Sequence, residues 1–160
     1  MVRNESPADA RTGTDRIEKQ IRLSASRSRV WRALTDVREF GLWFGANLSG
    51  TVGAGLTLRG SITSKGYSHL TMELTVERFE PETRYAFRWH PNAVDPQQDY
   101  SSEPTTLVTF TLEEVDGGTL LTIVESGFDG IPASRRMQAF DRNSNGWAVQ
   151  LENIRRYLVG

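Results

Sequence analysis

The side chain with the most chemical promise in this sequence is Glu125. It continues the parity of Leu121 and Ile123 in the segment from Thr119 to Ser126, so on a β-strand it shares their face. If that face is the interior one, a carboxylate stands at the edge of an apolar cavity, where desolvation suits such a group to acid–base work. The alternatives are an ion pair with an arginine on a neighbouring strand, or a place at a wet rim. Leu120 and Val124, on the opposite parity, leave the choice of face open.

Other constellations carry less. His69 and His90 are the two histidines, lie on different predicted strands and have no cysteine to join them. A zinc site wants three or four nitrogen, sulfur or oxygen ligands in tetrahedral order, so no metal site and no cofactor is expected. The absence of cysteine also excludes disulfides and thiolate nucleophiles. Gly53-Ala-Gly55-Leu-Thr-Leu58 begins like a dinucleotide fingerprint, but Leu58 stands where the third glycine belongs and no helix follows, so it reads as a turn. No Gly-x-Ser-x-Gly elbow marks a nucleophilic serine.

Lys+Arg 19 against Asp+Glu 20 leaves a formal charge of -1 and no basic stripe, which argues against nucleic acid as a partner. No apolar run approaches the ~20 residues of a membrane span, and the N-terminus lacks the apolar segment of a signal peptide. A cytoplasmic protein without a membrane partner is expected.

The elements that must position these residues follow from periodicity. Residues 1–13 are polar and read as a disordered tail; one domain is expected over 14–160. From Arg16, Ile17, Ile21 and Leu23 alternate as a half-buried strand. Ser26 caps a short helix carrying Val30, Trp31 and Leu34, and Asp36 caps a second that ends at Gly45. Strands follow around Leu58, over Leu70 to Val76, over Tyr85 to Trp89, and over Thr106 to Leu112. The last, Thr119 to Ser126, is joined by the Asp116-Gly117-Gly118 turn. His90 to Pro104 is a loop with three prolines, long enough to suggest a lid or binding loop. A final helix is expected from about Ala133 to Leu158, with Phe140, Ser144, Trp147, Leu151, Ile154 and Leu158 spaced along one face.

Strand, two short helices, about six or seven antiparallel strands and a long C-terminal helix resemble the α+β helix-grip fold of the START and birch-pollen-allergen superfamily (SRPBCC). Arg29-Val-Trp-Arg-Ala-Leu-Thr-Asp36, Leu42-Trp43-Phe44, the run from Val76 to Trp89, Thr122-Ile-Val-Glu-Ser-Gly-Phe128 and Gly146-Trp147 narrow the likeness. They are similar to proteins related to the C-terminal domain of the activator of heat-shock-protein-90 ATPase. The resemblance covers about Arg16 to Leu158. It implies three readings: a ligand-binding module, an enzyme of the cyclase, aromatase or lyase kind, or a co-chaperone-type interaction module with a link to stress response.

In a helix-grip fold the sheet bends away from the helix, so large side chains line a cavity instead of closing it. The expected lining is Trp43 and Phe44 from the helical cap, Met72, Phe87, Trp89, Phe110 and Ile123 from the sheet, and Phe140, Ser144, Trp147 and Leu151 from the final helix. Ser144 and Gly146 leave space or polarity where a packed core would prefer a larger apolar group. A small apolar or aromatic molecule is the expected partner, bound by a monomer or homodimer, with residues 91–104 gating the mouth. In the enzymatic reading Glu125 is the acid or base, assisted by an arginine or Tyr67.

Overall fold

Alternating apolar residues build one antiparallel sheet of seven strands: β1 (Arg16–Leu23), β2 (Ala46–Ser49), β3 (Thr57–Ile62), β4 (Thr71–Glu80), β5 (Arg84–Trp89), β6 (Thr106–Val115) and β7 (Gly118–Ser126). The computed structural model describes residues 15–95 and 97–159. The polar segment expected as a tail at residues 1–13 lies outside the described residues. The strand order is β1-β7-β6-β5-β4-β3-β2, so the first strand closes onto the last. In β4, Met72, Leu74 and Val76 are buried while Thr71, Glu73 and Thr75 are exposed, as a sheet with one covered face requires.

Glu125 shares the buried face of β7 with Leu121 and Ile123. Leu120 and Val124 lie on the outer face, opposite Arg22 and Glu113 and opposite Glu18 and Thr109. Such neighbours half-cover an apolar side chain with their stems without drawing it inward. The sheet bends at a β-bulge between Val76 and Arg78, where β4 slips against β5.

Strand β2 has no counterpart in the expected elements. Its four residues bury Ala46 and Leu48 but are too few to show a period. It lies close against β3 because residue 60 is glycine: a Cβ there would stand 1.9 Å from the Asn47 carbonyl oxygen.

Three helices complete the fold: α1 (Arg27–Thr35), α2 (Val37–Phe44) and α3 (Ala133–Val159). Ser26 accepts from the Arg29 amide at 3.1 Å and Asp36 from the Glu39 amide at 3.0 Å, each satisfying a donor the helix cannot. Helix α2 stops at Gly45, whose φ of 94° is left-handed. Helix α3 buries Ala139, Trp147, Leu151 and Ile154. The long helix held against the covered face of a bent antiparallel sheet makes this an α+β helix-grip fold.

A charged cluster joins the three helices. The buried Glu39 accepts from Arg29 Nη1 at 2.8 Å, Arg32 Nε at 2.9 Å and Tyr157 Oη at 2.9 Å. Burial pushes its carboxyl upward, but the bonds from Arg29 and Tyr157, the Arg29 charge and Arg32 together hold it below the ordinary 4.5. A carboxylate depressed in the folded state contributes stability that is full above its unfolded value and lost as pH falls through the folded one. Urea denaturation should therefore show the deficit of Glu39→Gln in full above about pH 5 and shrinking as pH falls below it. A deficit independent of pH would contradict this role.

Candidate functional site

Glu125 is wholly buried, and its hydrogen-bond partners come from β5, β6 and α3. Its Oε1 accepts from Trp147 Nε1 at 2.8 Å and Asn143 Nδ2 at 3.0 Å. Its Oε2 accepts from Trp89 Nε1 at 2.8 Å, Thr106 Oγ1 at 2.6 Å and Asn143 Nδ2 at 3.1 Å. The inward parity of β5, β6 and β7 delivers Trp89, Thr106 and Glu125, and α3 delivers Asn143 and Trp147 one turn apart. Indole nitrogens can only donate, and an ionised carboxylate only accepts, so the donor set fits the charged form. Among the described residues no arginine, lysine or histidine pairs with it.

The two indoles so anchored stack on each other, with centroids 5.7 Å apart and planes 28° apart. Phe44 tilts against both, at 6.2 Å from Trp89 and 6.0 Å from Trp147. These three rings, with Asn143, Gly146 and Gln150, line an open-mouthed recess of about 170 Å³, the inner chamber of the site. A Cβ built on Gly146 meets nothing within 4 Å, so this glycine leaves the space open. Gln150 is fixed by its own bond from Nε2 to the Phe44 carbonyl, 2.8 Å long.

The chamber opens into a wider cleft of about 600 Å³ that shares Phe44, Trp89, Asn143, Gly146 and Gln150 with it. Met72 and Leu70 from the sheet side, Tyr67, and Val94 and Tyr100 of the 91–104 loop continue the apolar lining. Arg59, Glu73, His90 and Asp99 supply the charged and polar rim. Helix α3 holds the loop. Arg135 donates to Glu103 Oε1 from Nε at 2.9 Å and Nη2 at 2.7 Å, donates to the Pro91 carbonyl at 2.9 Å, and lies 4.7 Å from the Tyr100 ring centroid. His90 Nε2 meets the Glu103 carbonyl at 3.0 Å.

Of the residues expected to line a cavity, Phe44, Met72, Trp89 and Trp147 border the cleft. Phe87, Phe110 and Ile123 are fully buried, with Phe87 edge-on to Trp89 at 5.4 Å and Phe110 edge-on to Trp147 at 5.9 Å. Leu151 is buried in the same core. Trp43 is buried against Phe40 and donates its indole N–H to the Ala33 carbonyl at 2.8 Å, tying α2 to α1. Phe140 packs on Phe128 at 5.3 Å, and Ser144 is half-buried; neither borders the cleft. Glu125 stands behind the aromatic wall, with no place in the cleft lining. His69 is exposed.

Asn143, Thr106, Gln150 and Arg135 were not singled out from the sequence. Asn143, Gly146, Trp147 and Gln150 do share a spacing of three, one and three, a helical stripe beside the apolar one. That mixed stripe is the signal that marks a wet face against a core.

A bent sheet, a gripped helix and an aromatic cleft between them define a START-like helix-grip protein. The chain belongs to the Activator of Hsp90 ATPase homolog 1-like protein family, whose model matches residues 24–159. No curated protein matches it. Among solved structures it is similar to protein MLL2253 from Mesorhizobium loti, at 22% identity and a TM-score of 0.71, covering 89% of this chain and 96% of that one. It is also similar to DynU16, a protein of the dynemicin biosynthetic locus, at 28% identity and a TM-score of 0.68. That match covers 90% of this chain but 47% of DynU16, so this chain spans about half its length. The Aha1 dimer from Colwellia psychrerythraea matches at 20% identity and a TM-score of 0.65, covering 88% and 92%. Among the described residues no helix is long and apolar enough to cross a membrane.

Proposed function

We propose that the chain binds a small, largely apolar or aromatic molecule in the cleft between the sheet and α3, with one ring or small head group in the inner chamber. One observation carries this reading. Four donors and a buried carboxylate fix two indoles around an open space that Gly146 leaves unfilled, which a chain optimised for packing alone would close. The size suits the purpose. An apolar cavity of about 150 Å³ holds benzene, and small-molecule clefts run to roughly 300–1,000 Å³.

Glu125 acts in this reading as a positioning residue. Both its oxygens are engaged by the wall it anchors, whereas acid–base work on a ligand needs an oxygen that reaches the cleft. No comparable feature favours a co-chaperone role.

Titration with a panel of naphthyl and fatty-chain compounds, followed by tryptophan fluorescence, tests the proposal. Saturable quenching is expected for at least one class. Phe44→Ala, which removes a ring bordering both chambers while leaving every hydrogen bond to Glu125 in place, should weaken that binding about tenfold through the lost aromatic contact. A flat response across the panel would count against the cleft.

A further inference from the structure

The negative charge behind the aromatic wall has no counter-ion among the described residues, and from this we infer that the ligand is an organic cation, a protonated amine carried on an apolar or aromatic body. The inference deepens the ligand-binding reading and rests on it.

Three observations converge. The first is charge. Behind the inner chamber stands Glu125 alone; on the rim, Arg59 and Glu73 pair with each other at 3.2 Å. Asp99 adds a further carboxylate, its Oδ1 accepting from the Ser101 amide at 3.0 Å. Arg135, behind the loop, is committed to Glu103 and to the Pro91 and Asn92 carbonyls. The Glu103 carbonyl can only accept, so His90 carries its proton on Nε2, and in the neutral ring Nδ1 remains an acceptor. The lining as a whole is negative.

The second is the character of the wall. Phe44, Trp89 and Trp147 surround the inner chamber, and aromatic faces attract cations, tryptophan most strongly. Each indole also donates to the carboxylate at 2.8 Å, and a donor bonded to an anion is polarised toward it, which leaves its ring the richer in electrons.

The third is hydrogen-bond polarity. The carboxylate holds the Asn143 amide nitrogen on both its oxygens, and among the described residues no donor occupies the Asn143 carbonyl oxygen, which is left as an acceptor for a ligand. Gln150 uses Nε2 on the Phe44 carbonyl, and its Oε1 already accepts from Asn153 at 3.1 Å. The inner chamber therefore presents a free acceptor to an N–H group, and no cationic side chain lines it for an anion.

Three probes with the same ring body separate these terms by calorimetry on the intact chain: 2-naphthylmethylammonium, 2-naphthylmethanol and 2-naphthoate. The ammonium should bind at least about tenfold more tightly than the alcohol, the range of a partly desolvated cation–π contact. The naphthoate should bind most weakly, and Gly146→Leu should abolish binding of all three. Equal affinity for ammonium and alcohol, both lost in Gly146→Leu, would overturn the cationic assignment while the cleft reading stands. Tightest binding of the naphthoate would also overturn it. No heat with any probe would overturn both readings together.

Discussion

Gly146→Leu is expected to abolish ligand binding while leaving the melting temperature unchanged or higher. Glycine inside a helix costs about 1 kcal/mol relative to alanine, because it exposes backbone and gains nothing from packing. Residue 146 lies in the body of α3, and a Cβ there meets no atom within 4 Å, so a side chain enters without a clash at its root. A helical leucine leans back toward the helix N-terminus, over the turn that carries Asn143. It would fill the inner chamber against Phe44 and Trp89 and bury its own apolar surface in doing so. Fluorescence titration and thermal melting on the same sample check both halves. Retained affinity would mean that ligands do not use the chamber; a large fall in melting temperature would mean that the space is not open.

Glu125→Ala is expected to cost on the order of 4 kcal/mol, since the buried Trp147 and Thr106 donors left unsatisfied cost about 1–3 kcal/mol each and the half-buried Trp89 and Asn143 lose their acceptor as well. For a chain of this size that is a fall of roughly 10 °C in melting temperature. Glu125→Gln keeps the volume, but whichever way its amide turns the NH2 faces an indole N–H that can only donate, so a substantial part of the loss should remain. Because Glu125 acts through the indoles, stability alone does not test its role. Ile154→Val, which removes a buried methylene for about 1 kcal/mol away from the cleft, is the control. It should keep wild-type affinity, whereas Glu125→Gln, measured well below its melting temperature, should bind at least about tenfold more weakly. Equal affinity in the two variants would make Glu125 a structural residue only.

How much of this was legible in the sequence depends on the range of the interaction. The α3 stripe was legible because Trp147, Leu151 and Ile154 repeat at helical spacing and face one core. The caps at Ser26 and Asp36 were legible because each bonds three residues ahead. Strand β2 was not, since its place depends on a glycine thirteen positions on, at residue 60. The face of Glu125 was ambiguous because both parities of β7 are apolar; pairing with β1 and β6 decides it. Asn143, Thr106 and Trp89 meet the carboxylate from 18, 19 and 36 positions away. Polar residues at such separations give no periodic signal. Periodicity marked Phe140, Ser144 and Trp147 alike, but it cannot say which end of a stripe faces an open cleft and which packs on Phe128.

The most direct test of the cleft is the set of tryptophan indole N–H resonances in a ¹⁵N-labelled sample, followed as 2-naphthylmethylammonium and then a neutral naphthyl probe are added. Trp89 and Trp147 donate to Glu125 and wall the inner chamber, while Trp43 donates to the Ala33 carbonyl inside the helical cap. Saturable shifts of the Trp89 and Trp147 signals, with Trp43 unmoved, are the expected result. Unmoved Trp89 and Trp147 signals with both probes, or shifts led by Trp43, would contradict a ligand site between the sheet and the long helix.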